Sequence, residues 1–148
     1  MKKLKTTIEI NAAPAKVWQV LLEFEKYPHW NPFIKSIQGN TIVGEKIEVT
    51  LHPPGQRTMT FKPIILKVED NRELRWLGHL LFPGVFDGEH AFIIETLEKS
   101  KVIFRQEEKF SGILIPIFWK SLYQHTRIGF IEMNQALKKR VEEGAQGT

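Results

Sequence analysis

From Ile34 to Phe110 the chain has the texture of β-strands, rich in Val, Ile, Phe and Thr and punctuated by turn signals. These fall at Gly39-Asn40, Pro53-Pro54-Gly55, Asp70-Asn71, Pro83-Gly84 and Lys99-Ser100. No segment between neighbouring breaks offers the dozen or so residues of helical crossover that a parallel pair requires, so the strands are expected to pair antiparallel in a meander. Six strands fit between these breaks. The start of the chain, where Ile8 and Ile10 alternate with Thr7 and Glu9, adds a first strand and brings the expected total to seven.

Helical patterns stand outside this run. Pro14 lies near a first helical position, and Val17, Trp18, Val20, Leu21 and Phe24 follow at helical spacing until the residue before Pro28, which avoids the helical region. After Pro116 the period becomes helical again. Trp119, Leu122, Tyr123, Thr126, Phe130, Met133, Leu137 and Val141 form one long stripe, expected to end at Gly144 and the polar tail. About 25 residues of helix would reach roughly 37 Å, enough to cross a sheet. This order predicts an α+β fold in which a curved antiparallel sheet grips a long helix over an apolar cavity. A chain of 148 residues is expected to make a single domain, 1–148. Its 10 Phe and 4 Trp are generous for that length and supply rings to wall a pocket.

Other classes fit poorly. With no cysteine there are no disulfides or thiolate metal sites, which suits a reducing compartment, and a cytoplasmic location is expected. Lys2, Lys3 and Lys5 are not followed by the apolar stretch of a signal peptide. The greasiest window, Gly112 to Trp119, is far shorter than the roughly 20 residues that span a bilayer. A net charge of +4 invites a nucleic-acid partner, but Lys138, Lys139 and Arg140 are answered at once by Glu142 and Glu143, and no RNA-reading motif or zinc-finger spacing accompanies them. A solvated surface is expected, with no nucleic-acid partner. His29, His52, His79, His90 and His125 lack metal-ligand spacing, and there is no Walker sequence, dinucleotide glycine fingerprint or nucleophile elbow. Neither metal nor cofactor is expected.

Several motifs occur in a telling order: Ala13-Pro14-Ala15-Lys16-Val17-Trp18, Trp30-Asn31-Pro32, Leu74-Arg75-Trp76-Leu77-Gly78, Gly88-Glu89-His90-Ala91-Phe92 and Glu108-Lys109-Phe110-Ser111-Gly112. From about Lys5 to Val141 the chain resembles the SRPBCC superfamily with its START-type helix-grip fold, most closely the polyketide cyclase/dehydrase-like branch. The resemblance implies a seven-stranded antiparallel sheet around the C-terminal helix, two short helices after the first strand, and a cavity between sheet and long helix. Members include lipid carriers, receptors and cyclases, so fold alone does not fix function.

Candidate site residues follow from strand faces. On the last strand Val102, Phe104, Gln106, Glu108 and Phe110 share the apolar face and are expected to point inward, carrying Gln106 and Glu108 with them. A buried carboxylate needs a partner or a proton. On the preceding strand His90, Phe92 and Ile94 share one face, and the resemblance implies that the histidine and phenylalanine lie inside. Counting out from Lys99-Ser100 sets His90 near Phe110 and diagonal to Glu108. His90 and Glu108 are thus read as a polar anchor, as a buried pair completing the interior, or as a general base. Trp76 and Gly78 mark either close ligand approach or packing with a bulge at the glycine. Trp30 either closes the cavity end or caps the core, and its indole N–H should find an acceptor if buried. Trp119 and Tyr123 are the pocket candidates of the long helix, and Gly129 makes room either for ligand or for a neighbouring helix. The apolar segments 80–86 and 113–117 are read as the cavity's mouth. The function expected is binding of a small, mostly hydrophobic molecule, by sequestration or transport. A cyclase or dehydratase acting in the same cavity is the alternative, and peripheral membrane contact is open but not expected.

Overall fold

The structure, a computed structural model, describes residues 1–80 and 82–146. Its elements run in the expected order. Strand β1 (Lys2–Ile10) leads into α1 (Pro14–Leu22), a 3-10 turn (Phe24–Lys26) and α2 (Tyr27–Trp30). Strands β2 (Ile34–Gln38), β3 (Glu48–Leu51), β4 (Met59–Phe61), β5 (Ile64–Glu69), β6 (Glu73–Leu80), β7 (Phe86–Glu98) and β8 (Lys101–Ser111) follow, and α3 (Ile115–Gln146) closes the chain.

Among the described residues there are eight strands rather than seven, in two antiparallel sheets ordered β1-β8-β7-β6-β5 and β2-β3-β4. The extra strand comes from Lys62-Pro63, which breaks into two pieces what reads as one strand between Gly55 and Asp70. Proline has no N–H to donate to a ladder and ends the pairing there. The two sheets are stitched where residues 44–47 run along Pro63–Ile65, with bonds from Ile47 N to Pro63 O and from Ile65 N to Glu45 O, both 3.0 Å. Together they form a cup.

The helix α3 differs from expectation at both ends. Pro116 lies inside its first turn, where a missing N–H costs nothing, and the helix passes through Gly144 to Gln146. A glycine there is tolerated at a cost of about 1 kcal/mol relative to alanine. The last turns are tied down, because Lys138 Nζ bonds Glu142 at 2.6 Å and the Asn11 amide donates to the same carboxylate at 2.8 Å. At 32 residues α3 is about 48 Å long. Its core contacts lie in the second half and at its very start: Ile115 is buried and Phe130, Met133, Leu137 and Val141 are fully buried, whereas residues 116–128 are half-buried or exposed. The first half therefore overhangs the cup.

The α1–α2 segment closes one end by burying Val17, Trp18, Leu21, Phe24 and Tyr27. The Tyr27 ring meets Phe24 and Trp30 edge-on, and its hydroxyl donates to the Leu21 carbonyl. Complete burial pushes its phenol far above the usual range and keeps it neutral. Tyr27→Phe leaves that carbonyl unpaired and is expected to lower stability by about 1 kcal/mol, read as a lower urea midpoint at unchanged slope.

Candidate functional site

The hairpin of β7 and β8 sets the site. Its tight turn pairs Glu98 with Lys101, and an irregularity between Thr96 and Glu98 then shifts the ladder, so that Thr96 faces Val102, Ile94 faces Phe104 and Phe92 faces Gln106. His90 consequently lies directly opposite Glu108, not diagonal to it. A bulge moves register by one residue, and the turn is one residue tighter than the simple count allows. The expected face of β8 holds: Val102, Phe104, Gln106 and Phe110 are buried and Glu108 is largely so.

His90 Nδ1 stands 2.8 Å from Glu108 Oε1, and its Nε2 stands 3.1 Å from Gln106 Oε1. Gln106 donates in turn to the Phe130 carbonyl at 3.2 Å and to Asn134 Oδ1 at 2.8 Å, and Asn134 donates to Thr6 Oγ1 at 2.9 Å. The direction of this chain follows from one fact. A backbone carbonyl only accepts, so the nitrogen of Gln106 must face Phe130 and its oxygen must face His90, whose Nε2 therefore carries a hydrogen. One proton is then shared between His90 Nδ1 and Glu108 Oε1, as imidazolium with carboxylate or as imidazole with carboxylic acid. The imidazole is held from three sides: Trp76 stacks at 5.5 Å, Phe92 lies at 4.3 Å and Phe130 at 4.9 Å between ring centroids.

The second oxygen of Glu108 makes no hydrogen bond among the described residues. A Cβ placed on Gly88 would come within 2.5 Å of it, so the missing side chain is what gives Oε2 its room. Gly88 pairs with Gly78 on β6, and a Cβ on Gly78 would press within 2.8 Å of the Phe61 ring. No bulge falls at Gly78; the irregularity on this side lies at Ile65–Lys67 of β5. Glu89, one residue before His90, faces outward, where Arg75 holds it at 2.7 Å and Glu73 at 2.8 Å. Partial burial disfavours the Arg75 charge, but the two carboxylates outweigh it and raise its pKa.

Above Glu108 and the two glycines lies a cavity of about 710 Å³, open on one side. Its walls include Phe33, Leu51, Phe61, Trp76, Phe86 and Phe110, and α3 roofs it with Phe118, Leu122 and Thr126. Among the candidate residues, Trp76, Gly78, His90, Glu108 and Phe110 line it. Phe92, Phe104 and Gln106 lie beneath, fully buried in the core. Trp119 and Tyr123 lie beside the face of α3 that lines the cavity, their rings tilted against each other with centroids 5.5 Å apart, with Trp119 edge-on to Phe110 and under the Lys2 ammonium. A stripe defined by its largest rings is rotated from the face that α3 turns to the cavity, which runs through residues 118, 122 and 126. Trp30 packs on Tyr27 at the closed end, and its buried Nε1 has no partner among the described residues. Gly129 admits the ring of Phe33, not a helix and not ligand space, because any Cβ there would overlap that ring.

The mouth holds residues that the sequence did not single out. The 52–58 loop crosses it, and Gln56 bonds His125 Nε2 at 3.2 Å while His125 Nδ1 is 2.8 Å from the Ser121 carbonyl. The prolines and glycine of this loop signal a turn but not what the turn covers. Of the apolar segments, Leu80 and Phe86 line the cavity, Phe82, Ile113 and Ile117 are exposed at its edge, and Leu81 lies outside the described residues. The edge is braced by bonds from Ile113 N to Gly84 O and from Leu114 N to Val85 O. No described helix is long and apolar enough to cross a membrane.

The arrangement offers a chamber walled mostly by apolar side chains, with Gln56, Arg57, Thr58, Ser121, His125 and Thr126 adding polar groups to its lining, and with a carboxyl oxygen of Glu108 that faces the interior and has a shared proton behind it. A family model described as polyketide cyclase/dehydrase and lipid transport matches residues 1–111. Similar solved structures include a START superfamily protein from Mycobacterium smegmatis, 20% identical over 95% of this chain and 97% of that one, with a TM-score of 0.76. Norcoclaurine synthase from Thalictrum flavum, solved with dopamine and hydroxybenzaldehyde, is 14% identical over 96% and 87% of the two chains, with a TM-score of 0.73. The di-domain ARO/CYC StfQ from the steffimycin biosynthetic pathway is 12% identical with a TM-score of 0.74, and 99% of this chain covers 52% of it. At these identities the likeness is one of fold. Among curated proteins nothing matches the sequence.

Proposed function

This chain belongs to the polyketide cyclase/dehydrase and lipid transport family, and from that membership and the cavity together we propose that it binds a small, mostly hydrophobic molecule between sheet and α3. The observation that carries this reading is the Oε2 of Glu108, unpaired among the described residues and opening over Gly88 into a chamber lined largely by rings and aliphatic side chains. A volume of about 710 Å³ lies in the range of small-molecule sites. Apolar walls supply affinity, and Glu108 accepts one O–H or N–H of the guest, fixing its orientation. The network from Thr6 to His90 keeps that carboxyl group in place.

Native mass spectrometry against fatty acids, flavonoids and sterol-like probes tests the reading. The expected result is uptake of one probe per chain, with Glu108→Gln weakening hydroxyl-bearing probes about tenfold and sparing those without a donor. A wild-type protein that stays empty with every probe would count against it.

The same open oxygen favours a second reading, proton abstraction next to a carbonyl in a cyclase- or dehydratase-type reaction, with His90 taking up the change in charge. Turnover that survives in both His90→Ala and Glu108→Gln excludes those roles.

A further inference from the structure

The three segments that frame the mouth share a property that the cavity does not explain. Residues 52–63, 79–86 and 111–131 contain no Asp or Glu, so all 17 acidic residues of the chain lie elsewhere, while these segments carry Arg57, Lys62, Lys120 and Arg127. They meet in space: the 79–86 and 111–131 segments are bonded at Gly84 and Val85, and the 52–63 segment is bonded to α3 through Gln56 and His125. Lys2 and Lys3 begin β1 at the same end, opposite Phe110 and Lys109. Asp87 abuts the rim, where its carboxylate accepts from the Gly84 amide and meets His79, and Glu89 is held by Arg75.

This rim, whose three segments carry basic residues and no acidic ones, is also where large apolar side chains are left in water. Ile113 is 73% exposed, Phe82 and Ile117 are each 72% exposed, and Phe118 is half exposed. Isolated apolar residues on a surface need no explanation, but several gathered on two bonded loops and the first turn of α3 beside a cavity form a patch, and such patches mark interaction sites. A protein partner of ordinary surface would match the apolar residues without requiring that the segments around them carry only basic charge. A surface of dense negative charge over hydrocarbon matches both.

We infer that the mouth docks on an anionic phospholipid surface, with Phe82, Ile113 and Ile117 entering the headgroup boundary and Lys120, Arg127 and Arg57 meeting lipid phosphates. Apolar insertion and basic attraction each give weak binding alone and act together here. Docking in this orientation presents the cavity opening to the bilayer.

Flotation of the full chain with vesicles provides the test. Vesicles containing about 30% phosphatidylglycerol are expected to carry the protein, pure phosphatidylcholine vesicles are not, and raised salt should release it. The triple variant Phe82→Ser, Ile113→Ser, Ile117→Ser and the double variant Lys120→Glu, Arg127→Glu are each expected to lose about tenfold in binding. All five side chains are exposed or lie on the exposed half of α3, and circular dichroism of both variants should match wild type. Wild-type protein that ignores anionic vesicles overturns the inference, as does equal binding by both variants. A dimer in sedimentation that the triple serine variant abolishes, without flotation of wild type, assigns the patch to a second copy of the chain and also overturns it. The readout is membrane association, not cargo, so failure leaves the binding reading of the cavity standing.

Discussion

Gln106→Leu should cost about 3 kcal/mol of folding stability, although the side chain touches no solvent and leucine has nearly the same volume. The loss comes from what the amide leaves behind. His90 Nε2–H and Asn134 Oδ1 lose a partner in a dry interior, where an unmet buried group costs about 1–3 kcal/mol, while the Phe130 carbonyl, inside α3, falls back on its helical bond alone. Urea unfolding of Gln106→Leu, His90→Phe and the pair measures it. Because His90 and Gln106 serve each other, the double variant should lose less than the sum of the singles. A single Gln106→Leu within about 0.5 kcal/mol of wild type would show that the network contributes little to stability. The ligand side has its own signature: with its Nε2 partner gone, His90 is free to reorient, so probe affinity should fall even where the fold survives.

The second large effect is expected at Gly129. Replacing a helical glycine with alanine ordinarily adds about 1 kcal/mol of stability. Here the new methyl overlaps the ring of Phe33, itself packed edge-on against Phe130 at 5.7 Å and forming part of the cavity wall. Overpacking of this kind costs about 1–3 kcal/mol, so Gly129→Ala should be a net destabiliser by about 2 kcal/mol. Adding Phe33→Leu, which retracts the ring, should recover part of the loss and thereby separate the steric effect from helix propensity. If Gly129→Ala stabilises the protein, the ring yields more easily than its burial indicates. Because Phe33 is also wall, the alanine variant should change which probes bind.

The fold was readable because its signals are local. Alternation along β8 sorted Gln106 and Glu108 inward from Arg105 and Glu107, and the period change after Pro116 marked α3. The errors came where one residue decides geometry. Pro63 divided a strand, and a bulge near Leu97 moved His90 from diagonal to facing Glu108. The α3 stripe was right at Leu122, Thr126, Phe130, Met133, Leu137 and Val141 and wrong at Trp119 and Tyr123, which pack on each other, with Trp119 also against Phe110 and Lys2, without lining the chamber, a placement that hydropathy does not distinguish from an interior. Gly129 announced a close approach but not by whom. The mouth was hardest, since Gln56 and His125 are 69 positions apart and ordinary in their own neighbourhoods.

Gly78 and Gly88 face each other across β6 and β7, and neither has left-handed backbone to explain it. The floor of the chamber is thus shaped by two absences rather than by any side chain. A methyl group at either site would do more than make the receptacle shallower: at Gly88 it would fall within 2.5 Å of Glu108 Oε2 and at Gly78 within 2.8 Å of the Phe61 ring, so the carboxyl oxygen or the aromatic wall would have to move to admit it.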